Sequence, residues 1–138
     1  MGNSVYINIP IENLERSKKF FGALGWKSVP EFSDDNAACM AISEHTYIML
    51  LTKDFFPTFT DKAIADTKSS VAALYCIAVD SKEEVDSYVE KALHNGATEG
   101  KEFPNRGEPD MYFRSVYDPD GHGWEFIYMP EHSPSHPG

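Results

Sequence analysis

The hydrophobic pattern divides the chain into two similar passes. Ser4 to Pro10 alternates, with Val5, Ile7 and Ile9 on one face and Tyr6 and Asn8 on the other, as a half-buried strand does. Asn13 can then cap a helix whose apolar stripe is Leu14, Phe21 and Leu24, with Phe20 at its edge and Gly25 as its stop. Trp26 to Phe32 reads as an edge strand interrupted by Pro30. Ala37–Ser43 and Thr46–Thr52 read as a hairpin around Glu44-His45. Its faces are expected to group Met40 and Ile42 with Tyr47 and Met49, and Cys39 and Ala41 with Ile48 and Leu50.

The second pass begins at Val71. Val71–Asp80 is an expected strand, and Ser81 with Glu84 three residues on forms a capping box. The helix it opens carries Val85, Val89, Ala92 and Leu93 on one face and closes at Asn95-Gly96. Glu99–Phe103 is expected as a short edge strand, Pro104–Asp110 as a loop, and Met111–Tyr117 with Trp124–Met129 as a final hairpin. Between the passes, 53–70 is a connection whose phenylalanines (Phe55, Phe56, Phe59) suit a packed join, a lid or a dimer surface. Residues 131–138 are a tail of Pro, Ser, His and Gly. The order strand, helix, three strands occurs twice. A repeat near 70 residues is too long for a solenoid and points to a duplicated supersecondary module. The expected fold is α+β: two βαβββ modules forming a curved mixed sheet around a ligand cleft, in a single domain over 1–138.

Composition narrows the partners. The net charge of −10 disfavours nucleic acid and anionic membrane surfaces. No apolar run approaches the ~20 residues of a membrane span. No basic-then-apolar N-terminal segment suggests a signal peptide, and two isolated cysteines do not make a disulfide framework, so a cytoplasmic setting is expected. Cys39 and Cys76 are expected as small apolar fillers.

Candidate chemistry concentrates in Tyr117-Asp118-Pro119-Asp120-Gly121-His122-Gly123-Trp124-Glu125-Phe126-Ile127-Tyr128-Met129. Pro119, Gly121 and Gly123 shape the reversal, and His122 is expected at its exposed tip. In the exit strand, Glu125 shares a face with Ile127 and Met129. A carboxylate among such neighbours needs a metal, a cation, a donor or a proton. If Tyr117 opposes Trp124, then Val116 opposes Glu125 and Arg114 lies one diagonal away, where it would pair with Glu125 or grip an anionic group. Tyr112 would then share that lining and bond or stack on a ligand.

The paired modules, Asn13-Leu14-Glu15-Arg16-Ser17 and Ala23-Leu24-Gly25-Trp26 around the first helix, and Asp118-Pro119-Asp120-Gly121-His122-Gly123-Trp124-Glu125 resemble the vicinal-oxygen-chelate superfamily. That group includes glyoxalase I, bleomycin-resistance proteins and extradiol dioxygenases. The resemblance covers residues 4–130. It implies a small-molecule protein that often pairs as a homodimer: a lyase or isomerase similar to lactoylglutathione lyase, or alternatively a protein that binds or sequesters a small organic compound without chemistry. It also implies four metal-ligand positions, which fall here on Tyr6, Leu50, Leu74 and Glu125. Only Glu125 is an ordinary ligand type. A divalent metal is therefore disfavoured, and the expected site has Glu125 as the catalytic group with Tyr6, Asn8, Leu50, Leu74, Tyr112 and Arg114 as ligand-binding residues.

Overall fold

A computed structural model describes residues 2–102 and 111–130. The chain forms two compact units, Met1–Asp66 and Thr67–Gly138. In the first, β1 (Val5–Ile11), α1 (Leu14–Ala23), β2 (Lys27–Ser28), β3 (Ala37–Ser43) and β4 (Thr46–Thr52) build a four-stranded sheet in the order β1-β4-β3-β2. In the second, β5 (Leu74–Val79), α2 (Lys82–His94), β6 (Thr98–Glu99), β7 (Tyr112–Tyr117) and β8 (Gly123–Tyr128) repeat that order as β5-β8-β7-β6. In each sheet the first and last strands of the module pair in parallel, with the first strand at the sheet edge, and the hairpins are antiparallel. The α+β class and the two βαβββ modules stand as expected.

Local chemistry sets the helix ends. The Asn13 side chain accepts from the Arg16 amide at 2.9 Å, and Gly25 adopts φ +100° just past the helix. The capping box at α2 is formed: Ser81 Oγ accepts from the Glu84 amide at 3.0 Å, while Glu84 Oε1 accepts from the Asp80 amide at 2.9 Å. Gly96 closes this helix at φ +109°.

Each helix covers one face of its own sheet. Phe20, Phe21 and Leu24 of the first module are buried with Ile9, Ile11, Ile48 and Leu50, and Phe21 stacks on Trp26 at 5.7 Å. Val85, Val89 and Ala92 of α2 are buried with Val116, Trp124 and Phe126, and Tyr88 stacks on Phe126 at 4.7 Å. Fully burying an aliphatic or aromatic side chain stabilises the fold by ~1.5–3 kcal/mol, so these stripes dominate each core.

Three element expectations need correction. The strand expected over Trp26–Phe32 survives only as Lys27–Ser28, because Pro30 starts a short 3-10 turn at Pro30–Phe32. The strand expected from Glu99 begins one residue earlier and covers Thr98–Glu99. The strand expected over Val71–Asp80 covers only Leu74–Val79. Within the 53–70 connection a 3-10 turn forms at Phe56–Thr58, where Phe55 and Phe59 meet edge to face at 5.3 Å. Phe103, the loop 104–110 and the tail with His132 and His136 lie outside the described residues.

Candidate functional site

Register decides which side chains share a face. In the second sheet, Ser115 opposes Glu125 on one side and Cys76 opposes it on the other. Tyr117 and Leu74 flank Gly123, and Phe113 and Ala78 flank Ile127. Glu125 thus sits in a row with Cys76 and Ser115, between apolar rows. Helix α2 covers the opposite face, so this one is not covered by the module's own helix. Leu74, Cys76 and Ala78 are exposed on it, and Glu125 is half-buried.

The Cys76 thiol donates to the Glu125 carboxylate. Partial burial, the charge of Glu125 and that hydrogen bond all raise the thiol above its ordinary value of 9.0. The pair is therefore a neutral thiol bonded to an acceptor, not an activated thiolate. The expectation that Cys76 is an apolar filler is corrected; Cys39, fully buried in β3, does fill that role.

The placement of Arg114 and Tyr112 beside Glu125 is overturned. Val116 opposes Trp124, not Glu125, so the hairpin register differs by one residue from the expected one. A one-residue slip moves every side chain to the other face. Arg114 and Tyr112 consequently face α2. Arg114 Nη1 lies 2.9 Å from Asp86 Oδ1 and 3.6 Å from Glu90, and Nη2 lies 3.2 Å from Glu99 Oε2. Tyr112 donates to Asp86 Oδ1 at 2.7 Å. This cluster ties the helix to the edge of its sheet.

The same slip occurs in the first sheet. Met40 opposes Ile48, and Cys39 opposes Met49. Leu50 pairs with Ile9 and is fully buried on the α1 side, so it cannot line a ligand surface. The face away from α1 carries Tyr6, Asn8, Tyr47, Met49, Cys39 and Ala41, with Cys39 buried there. Tyr6 and Tyr47 stack with centroids 4.6 Å apart and planes 9° from parallel, and Tyr6 remains 49% exposed. Sequence reasoning missed Tyr47 and Met49. Parallel pairing of β1 with β4 was the information needed to find them.

The turn before β8 differs from expectation as well. His122 is buried, as are Asp118 and Asp120. Asp118 Oδ1 accepts from the amides of Asp120 (2.9 Å) and His122 (3.0 Å), and Oδ2 accepts from Trp124 Nε1 (3.0 Å). Burial pushes the Asp118 carboxyl up, against the lowering effects of His122 and of these donors. Its acceptor sites are engaged inside the turn, so it serves to shape β8 and hold Glu125 in place.

The metal positions implied by resemblance do not fit a metal. Leu50 is in the core, Leu74 has no donor atom, and Tyr6 lies in an aromatic stack. Among the described residues no three His, Cys, Asp or Glu side chains come together in a ligating group.

A family model for the bleomycin resistance protein-like N-terminal region matches residues 3–43. No curated protein matches the sequence. Among solved structures, a hypothetical protein from S. aureus is 25% identical, with a TM-score of 0.76 over 93% of this chain and 95% of that one. A glyoxalase/bleomycin resistance protein/dioxygenase family enzyme from Burkholderia phytofirmans is 18% identical, with a TM-score of 0.72 over 93% and 99% of the two chains. The fosfomycin resistance protein FosX from Listeria monocytogenes is 17% identical, with a TM-score of 0.68 over 96% and 95%. No helix among the described residues is long and apolar enough to cross a membrane.

Proposed function

We propose that this chain, which has the fold of the vicinal-oxygen-chelate superfamily and resembles its members, binds a small organic compound on the uncovered face of its second sheet. The observation that carries this reading is the hydrogen-bonded Cys76–Glu125 pair set between Leu74, Phe113 and Ile127. One carboxylate in apolar surroundings selects a largely apolar ligand that offers a single donor or cationic group. The donor set does not supply the three protein ligands of an ordinary catalytic metal site. Binding or sequestration therefore ranks above metal-dependent lyase chemistry. A second reading keeps Glu125 as a general base for a metal-free isomerisation; its position on an accessible face supports it. A cytoplasmic setting and a homodimer belong to the same proposal, and the exposed Phe59 supports the dimer.

The test uses bleomycin, fosfomycin and the methylglyoxal–glutathione thiohemiacetal as probes. Thermal stabilisation by a probe, without product by NMR and weakened in Glu125→Gln, supports sequestration. Product formation without metal, abolished in the same variant, supports the isomerase reading. One equivalent of metal in protein purified without chelator, lost in Glu125→Ala together with turnover of the thiohemiacetal, would overturn the ranking.

A further inference from the structure

The uncovered face of the second sheet carries an acid without a counter-charge. By register, Leu74 lies in a row with Gly123 and Tyr117, Cys76 with Glu125 and Ser115, and Ala78 with Ile127 and Phe113. Glu125 is the only charged side chain in those rows. Arg114 lies on the other face, among Asp86, Glu90 and Glu99. Among the described residues, Glu125 bonds the Cys76 thiol and has no ion-pair partner. A half-buried carboxylate in this state is complementary to a cationic group.

Two glycines fix what surrounds that carboxylate. The Gly100 amide donates to the Ser115 carbonyl at 2.9 Å, and a Cβ at Gly100 would collide with Ser115 Oγ. The Ser115 hydroxyl therefore lies over the sheet edge, away from Glu125, although Ser115 is the partner of Glu125 on β7. Cys76 bonds Glu125 from the β5 side. A carboxylate has about four lone-pair sites, so the thiol leaves the β7 side open to another donor. Gly123 is buried beneath Leu74 and Tyr117: an added Cβ would stand 2.7 Å from Leu74 Cδ2 and 3.6 Å from Tyr117 Cε1. These two side chains close over the glycine yet remain 56% and 40% exposed. Their outer surfaces form an apolar platform in the row next to Glu125.

Strand geometry sets the spacing. Neighbouring rows on one face of β8 are about 6.8 Å apart, so a cation at Glu125 and a ring on the platform are separated by roughly that distance. A short alkyl chain spans it. A bare metal ion would leave the platform unused, an anion would be repelled by Glu125, and a neutral donor would leave its charge uncompensated. We propose, resting on the reading of this face as a small-molecule site, that its ligand is an arylalkyl ammonium. The nitrogen donates to Glu125 on the β7 side, and the ring lies on the Leu74–Tyr117 platform.

Titration of the full chain with 3-phenylpropylamine, followed by amide NMR shifts, tests it; 3-phenylpropanol, 3-phenylpropionate and propylamine serve as neutral, anionic and ringless controls. Saturable shifts are expected at Leu74, Cys76, Tyr117, Gly123 and Glu125. The amine should bind about fivefold more tightly than the alcohol, the scale of one partly exposed charge contact. It should bind about tenfold more tightly than propylamine, the scale of half-burying a phenyl ring. Glu125→Gln should erase the preference for amine over alcohol. Leu74→Ala, at an exposed position that does not threaten the fold, should weaken both ring-bearing probes and leave propylamine unchanged. Should the alcohol or the carboxylate bind this face as tightly as the amine, or the preference survive in Glu125→Gln, the ammonium class is overturned while the small-molecule reading stands. Propylamine binding as tightly as the arylalkyl amine, or an unchanged affinity in Leu74→Ala, removes the platform. Amine shifts confined to Asp86, Glu90 and Glu99 overturn the proposal as adsorption to the acidic helix edge. No saturable shift from any of these probes overturns it too; if bleomycin, fosfomycin and the thiohemiacetal also leave the thermal midpoint unchanged, the small-molecule reading falls with it.

Discussion

Removing the Asp118 carboxylate should unfold the second unit more readily than any other single polar change in it. The residue is 5% exposed, and three donors converge on it at 2.9–3.0 Å: the Asp120 and His122 amides and the Trp124 indole. Each buried donor left without an acceptor costs about 1–3 kcal/mol. Three orphaned donors would cost roughly 3–9 kcal/mol if nothing relaxed. Relief of the carboxylate's own desolvation, and shifts that admit water at Gly121, offset part of that. Asp118→Ala should therefore lose about 3 kcal/mol, a large share of a typical domain stability of ~5–15 kcal/mol. Asp118→Asn keeps an acceptor for the two amides but turns an N–H toward the indole or the indole toward nothing. It should lose about 1–2 kcal/mol. Urea unfolding followed by Trp fluorescence measures both variants, and unchanged slopes would confirm that midpoint shifts are stability shifts. An Ala variant within 0.5 kcal/mol of the parent, or an Asn variant worse than Ala, would refute the view that this carboxylate organises the turn.

Three further outcomes follow from the same geometry. Gly121→Ala combines a left-handed φ with a clash against the Thr67 backbone, so it should cost about 2–3 kcal/mol in urea unfolding. Arg114→Ala should cost about 2 kcal/mol, leaving Asp86, Glu90 and Glu99 close together without their shared cation; added salt should recover part of it, and probe binding at the Glu125 face should not change. Cys76 is raised in the folded state, so the folded protein keeps a proton that the unfolded chain releases. Its contribution is fully present below the ordinary thiol value of 9.0 and is lost as pH rises through the higher folded one. Comparison with Cys76→Ala should show the parent losing stability faster above about pH 9. Glu125→Gln should lower the thiol and speed Cys76 alkylation by iodoacetamide at pH 8; an equal or slower rate would deny the pairing.

Most of the fold is legible in the sequence because caps, glycine stops and alternation are local signals. Asn13, Ser81, Gly25 and Gly96 act where they stand, and the β3–β4 hairpin has the expected bounds. The site is less legible, because lateral register is not local. Nothing within Met111–Tyr117 states whether Tyr117 opposes Gly123 or Trp124. The turn decides, and its hydrogen bond from the Asp118 amide to the His122 carbonyl sets Tyr117 against Gly123. That one step moves Arg114 from Glu125's face to the helix. Buried His122 was misleading for a related reason. Turn residues are usually exposed, but the segment from Thr67 crosses over this turn from 53 residues away in sequence, an arrangement that adjacent residues do not encode.

The corrected register also argues against a metal held by the Cys76–Glu125 pair. The helix-facing pairs Ile7–Ile48 and Ile9–Leu50 of the first sheet match Tyr75–Trp124 and Ile77–Phe126 of the second. Between them lie Asn8–Met49 in one sheet and Cys76–Glu125 in the other. The neighbour of Glu125 in its own sheet is thus a protonated thiol, and the counterparts of the two in the first sheet are a thioether and an amide. Hard divalent ions favour several oxygens, and soft ions favour deprotonated thiolates; the Cys76–Glu125 pair offers neither in quantity. A metal taking Cys76 would have to displace its proton and break its hydrogen bond to Glu125, which opposes loading from two directions. Zinc titrated into chelator-treated protein should therefore displace less than one proton per chain near neutral pH and leave the thermal midpoint unchanged. A midpoint raised by stoichiometric zinc, and returned to its apo value by Cys76→Ala, would show that the thiol–carboxylate pair opens to a metal after all.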